Sequence, residues 1–158
     1  MKYWLVATYK INEIKRVESN LSNQGFDYYL PKINLNKPNS NFAEEILFPG
    51  YIFINTRLED YSSLKYTMGI KKIIKFGKNF ACLTNKEIKS IKNIEKISKL
   101  NPLSSKIKIG QEAIVADGPF KGILVKICFL DSRDRIEVLL NILGSSRRVK
   151  ILKKNIIF

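Results

Sequence analysis

The stretch at residues 46–55, ILFPGYIFIN, has the composition of a buried β-strand but carries a Pro-Gly pair in its middle. Proline cannot donate a hydrogen bond to a neighbouring strand, and glycine weakens a strand interior. Three large aromatic side chains stand beside the pair: Phe48, Tyr51 and Phe53. The stretch therefore predicts either a core strand with a bulge or a bent strand whose aromatic side chains bind a partner.

Strand and helix patterns alternate on both sides of this stretch. Hydrophobic periodicity predicts strands at residues 2–10, 26–35, 70–76 and 79–83. It predicts helices at residues 12–24, at residues 58–68 and from Thr84 onward. The polar residues 36–44 are predicted to form a loop. The helix at 58–68 would place four apolar side chains on one side: Leu58, Tyr61, Leu64 and Met68. This order of elements predicts an α+β fold, in which helices pack on an antiparallel sheet.

The pattern changes near Ser98, which predicts two domains. Residues 1–99 form the first domain, residues 100–107 are a linker rich in polar residues, and residues 108–158 form the second domain. The second domain contains short Ile/Val-rich runs separated by turn residues, among them RIEVLLNIL at residues 135–143. Short runs of this kind predict the strands of a small β-barrel.

The charge of the chain points to an acidic partner. Its 158 residues carry a formal net charge of +14, and the sequence pI is about 9.8. A hydrophobic content of 45% is enough for a packed core, so the charge belongs to a folded protein. Such a basic balance favours nucleic acid, an anionic membrane or a polyanionic assembly as the partner, against the alternative of a soluble protein that is simply rich in lysine.

The sequence offers little for catalysis. It contains no histidine, no glycine-rich phosphate loop and no nucleophile elbow, and its adjacent carboxylates, Glu44-Glu45 and Glu59-Asp60, are interpreted as structural. We therefore expect a protein that is not an enzyme and needs no cofactor or metal. Cys82 and Cys128 stand among apolar residues, as buried thiols of a reducing compartment do, and no apolar run is long enough to span a membrane. A cytoplasmic protein without a membrane partner is expected.

Four motifs in order carry a resemblance to a known family. WLVATYK at residues 4–10, LFPGYIF at 47–53 and GIKKIIKFG at 69–77 resemble the N-terminal (NGN) domain of NusG-type transcription elongation factors, and GQEAIVADGPFKG at 110–122 resembles their KOW motif. Within the family, KFG at 75–77 and VLLNIL at 138–143 look more like the specialised paralogue RfaH. The resemblance implies an NGN-like first domain and a KOW-like second domain, in a protein expected to be a monomer.

The resemblance also implies a polymerase-binding surface. An apolar concavity of the first domain would dock on the clamp helices of the largest RNA polymerase subunit, and its residues here would be Tyr51, Phe53, Phe76, Ile88 and Ile91. A polar trio, Tyr61, Ser62 and Ser63, would touch the opposite lobe across the DNA cleft. Bridging the cleft would suppress pausing and termination, and an operon-specific role is expected. For each aromatic or aliphatic residue of the concavity, a place in the core is an equal alternative.

A basic patch would meet the exposed non-template DNA strand. By the same resemblance its members are Lys10, Lys15, Arg16, Lys71 and Lys72. Lysine contacts to phosphate give affinity with little sequence preference. Three positions depart from the RfaH pattern: Thr8 where an aromatic is expected, Glu13 in place of a polar amide and Met68 in place of a basic residue.

The second domain has an alternative form in RfaH, a helical hairpin packed on the polymerase-binding surface. An ion pair that helps to hold this closed form would involve Glu45 and Arg135. Four residues oppose the helices, Gly118, Pro119, Gly122 and Gly144, since a mid-helix proline costs about 3 kcal/mol and each glycine about 1 kcal/mol. The barrel is therefore predicted, with a small-subunit ribosomal protein or the termination factor Rho as its partner. The alternatives are a general NusG-type factor and a ribosomal or RNA-binding KOW protein without a polymerase role.

Overall fold

A computed structural model of the protein describes residues 1–37, 40–100 and 132–144. Within them lie nine strands: β1 (Tyr3–Tyr9), β2 (Asp27–Tyr29), β3 (Lys32–Lys37), β4 (Ser40–Ile46), β5 (Tyr51–Thr56), β6 (Ile70–Ile73), β7 (Lys75–Phe76), β8 (Asn79–Phe80) and β9 (Cys82–Leu83). The α-helices are α1 (Ile14–Asn23), α2 (Tyr61–Lys65), α3 (Asn85–Leu100) and α4 (Ser132–Leu143), and short 3-10 turns at Ile11–Glu13 and Leu58–Asp60 lead into α1 and α2. The predicted α+β class, with an antiparallel sheet and flanking helices, is confirmed.

The described residues divide into two compact units. We call residues 1–30, 49–84 and 139–144 the sheet unit, and residues 31–37, 40–48, 85–100 and 132–138 the hairpin unit. The sheet unit holds an antiparallel sheet in the order β2-β5-β1-β6, with β9 also paired to β1. Strand β1 lies between β5 and β6, and its residues Leu5, Val6 and Ala7 are fully buried. Because successive side chains point to opposite faces of the sheet, both faces are covered here. This sheet is the scaffold for most of the predicted binding residues.

The hairpin unit is built from two long antiparallel strands and a helix. Strands β3 and β4 pair along their length, and α3 packs on β3. The backbone N–H of Asn34 donates to Oγ of Ser98 over 3.1 Å, which fixes the helix against the strand. Ile33, Leu47 and Phe48 are fully or almost fully buried, and so are three isoleucines of α3, namely Ile88, Ile91 and Ile94. These residues share the hairpin unit's core.

The Pro-Gly pair lies between two strands and interrupts neither of them. Strand β4 ends at Ile46 and β5 begins at Tyr51, so the prediction of one strand over residues 46–55 is wrong. Gly50 has φ +85°, a conformation that favours glycine, and its carbonyl accepts a hydrogen bond from the Tyr9 N–H over 3.0 Å. The pair is therefore a turn that changes the direction of the chain.

Three other strand predictions were too long and one loop prediction was wrong. The region 26–35 forms two separate strands, β2 and β3. The region 70–76 likewise forms β6 and β7, and the region 79–83 forms β8 and β9. The polar stretch at residues 36–44, predicted to be a loop, contributes to both arms of the β3–β4 hairpin. Pairing between strands supplies the hydrogen bonds there, so polar composition did not prevent strand formation.

The strand predicted at residues 135–143 is a helix, α4. Arg135, Leu139 and Leu143 are buried and lie four residues apart, which is the spacing of one helical face. Gly144, which was counted against a helix, follows its last residue and donates its N–H to the Leu140 carbonyl over 2.9 Å. The other residues counted against the helix, and the remaining strands of the predicted barrel, lie outside the described residues.

Candidate functional site

The predicted polymerase-binding residues fall in both units, and most of them are buried. In the sheet unit, Phe53 is fully buried opposite Val6 of β1, with its ring 6.3 Å from that of Tyr29. Tyr51 and Phe76 are half-buried. In the hairpin unit, Ile88 and Ile91 of α3 are buried. Of the five residues, only Tyr51 and Phe76 thus present an accessible surface.

The predicted polar trio occupies the first turn of α2. Ser62 and Ser63 are exposed, whereas the buried Leu64 fixes the helix to the sheet unit. Tyr61 packs against the β7–β8 hairpin, with its ring centroid 4.9 Å from that of Phe80. The Lys75 ammonium lies 4.7 Å from the Tyr61 ring and 4.5 Å from the Phe80 ring, a cation–π arrangement that holds the hairpin to α2.

The predicted basic patch lies entirely in the sheet unit, and all five side chains are exposed: Lys10, Lys15, Arg16, Lys71 and Lys72. We call these five residues the basic surface. Lys10 comes directly after β1, Lys15 and Arg16 lie in the first turn of α1, and Lys71 and Lys72 lie in the edge strand β6. Strand β6 pairs with β1, and Thr8 lies opposite Lys72. Arg16 contacts Glu13 over 3.3 Å, a surface pair that leaves the net charge of the region positive.

A short exposed loop beside this surface was not predicted. Residues 65–69, which we call the 65–69 loop, begin at the last residue of α2 and contain an exposed aromatic residue, Tyr66, with 77% of its surface accessible. Met68 is 58% exposed, and the prediction that it lies on the apolar side of a helix at 58–68 is wrong, because α2 ends at Lys65. The Arg16 guanidinium contacts the Met68 sulfur over 3.3 Å. Gly69 was the signal available in the sequence, since it marks a turn.

The predicted interdomain pair, Glu45 and Arg135, is brought together within the hairpin unit. The two side chains approach to 3.4 Å, and the Arg135 Nε donates to the Leu47 carbonyl over 2.8 Å. Arg135 is 2% exposed, whereas the Glu45 side chain is 31% exposed. The guanidinium is thus a buried anchor that ties α4 to the end of β4.

One tyrosine beside the basic surface has an altered acidity. Burial raises the pKa of Tyr9 above its usual value of 10.0; a backbone hydrogen bond at Gly50 opposes this shift, and the negative charge of Glu18 adds to it. The Tyr9 hydroxyl therefore stays neutral over the physiological range. It contributes to packing at the end of β1 and does not add charge there.

The described residues show no cluster typical of a metal site. No group of three or more His, Cys, Asp or Glu residues in that part of the chain could hold a metal ion. A cavity of about 550 Å³ in the sheet unit has polar walls, among them Lys2, Asn55 and Arg57. Lys2 and Arg57 are engaged by Asp27 and Glu59 at 3.7 and 3.4 Å. None of the helices in residues 1–37, 40–100 and 132–144 has the length and hydropathy needed to cross a membrane.

Comparison with known proteins gives a match to a protein family and a likeness to solved structures. No curated protein matches the chain. A solved structure described as domain interaction in Thermotoga maritima NusG is similar over 70% of this chain and 67% of its own, with 17% identity and a TM-score of 0.43. The sequence profile of the family described as NusG, transcription termination factor nusG, matches residues 2–92, which include β1 to the first half of α3. Because this match spans more than half of the sequence, the chain belongs to the NusG family.

Proposed function

We propose that this protein is a transcription elongation and antitermination factor that binds RNA polymerase and suppresses pausing and termination. The observation that carries the proposal is the family match over residues 2–92, which contain nearly all of the predicted binding residues. NusG family factors act by binding and perform no chemistry. In the proposed mechanism the protein changes the conformational equilibrium of the polymerase, because a bound factor favours the state to which it binds more tightly.

The proposed docking surface meets the clamp helices of the largest polymerase subunit. Tyr51 and Phe76 support this role, since half-buried aromatic side chains are efficient anchors at protein interfaces. Phe53 is buried in the sheet unit, and Ile88 and Ile91 are buried in the hairpin unit, so in this proposal each becomes accessible only after a rearrangement of its own unit. Ser62 and Ser63 are exposed on α2 and would make the second contact, across the DNA cleft.

A specialised, RfaH-like role is the finer part of the proposal. Helix α4 supports it, because the RfaH-like closed form requires a helix at these residues. In the hairpin unit, Arg135 of α4 binds Glu45 and the Leu47 carbonyl. In the sheet unit, Gly144 follows α4 and lies close to Phe76, since a Cβ added there would be 3.1 Å from the Phe76 ring. We propose that α4 restricts polymerase binding until it is released, after which the second domain recruits a ribosomal protein or Rho.

The non-template DNA strand is the proposed ligand of the basic surface. Its five cations lie just after β1, on α1 and on β6, and their exposure supports this proposal because each can neutralise a phosphate. Because lysine and arginine contacts to phosphate release counterions, binding there should weaken steeply as salt rises. An operon-specific factor would add base contacts to this sequence-independent term.

A polymerase pull-down with an in vitro elongation assay tests the proposal. The full chain is compared with Tyr51→Ala, Glu45→Gln and Glu44→Gln. Glu44 is the matched control for Glu45, since it is the preceding residue of β4 and forms only a long exposed pair with Lys32 at 3.9 Å. We expect Tyr51→Ala to weaken polymerase binding and Glu45→Gln, but not Glu44→Gln, to strengthen it.

Other outcomes separate the alternatives. If Glu45→Gln and the unmodified chain bind equally well, α4 does not restrict binding and the protein acts as a general NusG-type factor. If no variant binds polymerase while the chain binds structured RNA, the proposal fails, and an RNA-binding KOW protein is the better interpretation.

A further inference from the structure

The backbone of the 65–69 loop is held at its centre by a buried residue. Thr67 is 3% exposed, and its hydroxyl lies 2.8 Å from Oε1 of Gln24 and 3.3 Å from the Ser63 carbonyl. The Thr67 N–H donates to the Leu64 carbonyl, and its own carbonyl accepts from the Ile70 N–H, both over 3.1 Å. The loop is therefore anchored at a point between its two exposed side chains.

The end of the loop is pressed against α1 and β1. Gly69 has φ +94°, and a Cβ added there would overlap Cγ2 of Val17. Its carbonyl accepts from the Lys10 N–H over 3.0 Å, and the Met68 carbonyl accepts from Nδ2 of Asn20 over 3.2 Å. The loop is thus fixed to both elements that carry the first three cations of the basic surface.

The 65–69 loop exposes an aromatic ring and a thioether, each beside a cationic side chain. Tyr66 and Met68 point outward on either side of the buried Thr67. The Lys65 ammonium lies 5.5 Å from the Tyr66 ring centroid, and the Arg16 guanidinium contacts Met68. Isolated exposed hydrophobic residues are common, but two on one anchored turn, each beside an exposed cation, have the chemistry that binds single strands. Aromatic rings stack on bases, and the adjacent cations neutralise phosphates.

We propose that Tyr66 is a base-stacking residue for single-stranded DNA, and that phosphates of the same strand bind Arg16, Lys10 and Lys72. The proposal rests on the DNA contact proposed above for the basic surface, and it adds the residue that distinguishes a single strand from a duplex. Because the loop is already anchored, little conformational entropy is lost when a base stacks on the ring. Stacking accepts every base, so the preference should be for unpaired DNA and not for one sequence.

Fluorescence anisotropy of the full chain with a labelled oligothymidine tests the proposal without polymerase. Tyr66→Ala, Tyr66→Leu and Tyr66→Phe separate an aromatic requirement from a merely apolar one. Lys72→Gln is the charge variant, and Lys2→Gln is its control, because Lys2 lies at the start of β1 and pairs with Asp27. Each titration is repeated at several salt concentrations, and thermal unfolding checks that every variant folds.

We expect Tyr66→Ala and Tyr66→Leu to weaken binding about fivefold or more, as removal of one stacking partner does. Tyr66→Phe should stay within about twofold, because its ring is retained. The slope of log affinity against log salt should not change for these variants, whereas Lys72→Gln should reduce it by about 0.7, the value for one phosphate contact on a single strand. Lys2→Gln should leave both quantities unchanged.

The proposal is overturned if Tyr66→Ala binds the oligonucleotide as well as the unmodified chain does, or if the variant weakens duplex binding to the same extent. Absence of any binding to single strands at low salt would overturn it too. A polymerase pull-down with the same variants tests whether Tyr66 binds a protein instead. If Tyr66→Ala weakens polymerase binding but not oligothymidine binding, the stacking proposal is also overturned. If stacking is observed while the unmodified chain does not bind polymerase, the proposed function fails and this inference stands.

Discussion

Arg135 of the hairpin unit and Arg16 of the sheet unit each pair with a glutamate, but they differ in burial. Arg135 is 2% exposed and also binds a backbone carbonyl, whereas the Arg16 side chain is 49% exposed and contacts Glu13 and Met68. A buried charge needs fixed partners, while a surface pair contributes little to stability. Arginine therefore stabilises the packing in one unit, whereas in the other it remains exposed to solvent.

The backbone behind Arg16 offers the first test of this comparison. We expect Gly69→Ala to lower the free energy of unfolding by about 3 kcal/mol, because a positive φ and an overlap with Val17 both oppose a Cβ there. Gly77→Ala is the control, since Gly77 has φ +63° but no atom within 4 Å, and it should cost about 1 kcal/mol. Urea unfolding measures both. Equal losses would mean that the loop yields to the added methyl group.

Truncation of the buried arginine should have the next largest effect. Arg135→Ala is expected to lower the free energy of unfolding by about 2 kcal/mol, because the Leu47 carbonyl loses its charged donor and a buried side chain is removed. Urea unfolding of the full chain measures this loss. A loss below about 0.5 kcal/mol, as expected for a surface residue, would erase the distinction between the two arginines.

A pH titration examines Tyr9, which is buried beside the exposed cations. The pKa of its hydroxyl is raised in the folded protein, so the folded state holds this proton more tightly than the unfolded chain does. The stabilisation is complete below the unfolded pKa of about 10 and is lost as pH rises through the folded pKa. Tyr9→Phe should therefore lose less stability than the unmodified chain between pH 9 and 11. Parallel losses would show that other groups dominate in this range.

The smallest expected effect on stability belongs to Arg16. Arg16→Ala should change the free energy of unfolding by less than about 0.5 kcal/mol, because exposed ion pairs contribute little. Its affinity for an oligothymidine should fall, with a salt slope reduced by about 0.7. Arg135→Ala, if it remains folded, should leave that slope unchanged. Arg135→Ala would then have the larger effect on the free energy of unfolding, and Arg16→Ala the larger effect on oligothymidine binding.

The sequence predicted the sheet better than it predicted the surfaces. Strand β1 and helix α1 follow from hydrophobic patterns and a terminal glycine, and both were found where local signals are strong. Helix α4 was missed because its β-branched residues favour strands, while the buried face formed by Arg135, Leu139 and Leu143 depends on tertiary contacts. Propensity alone does not contain that information.

The candidate site shows the same limit. Exposure of the five cations was predictable, since lysine and arginine are rarely buried without partners. Sequence could not say which apolar residues are accessible: Phe53 and Ile91 are buried, while Met68 is exposed. Buried and docking hydrophobics have the same composition, and only the positions of neighbouring elements separate them. The exposure of Tyr66 and Met68 in the 65–69 loop depends on the end of α2 at Lys65, which the sequence pattern placed at residue 68.

Gly69 also predicts how this region tolerates mutation. Position 69 selects glycine for two independent reasons, the sign of φ and the proximity of the Val17 side chain. A library randomised at positions 17 and 69 together should return glycine at 69 in most functional clones. The few exceptions should carry alanine or glycine at position 17, because a smaller neighbour removes the overlap and leaves only the backbone strain. Positions 17 and 69, far apart in the chain, would then vary as a pair.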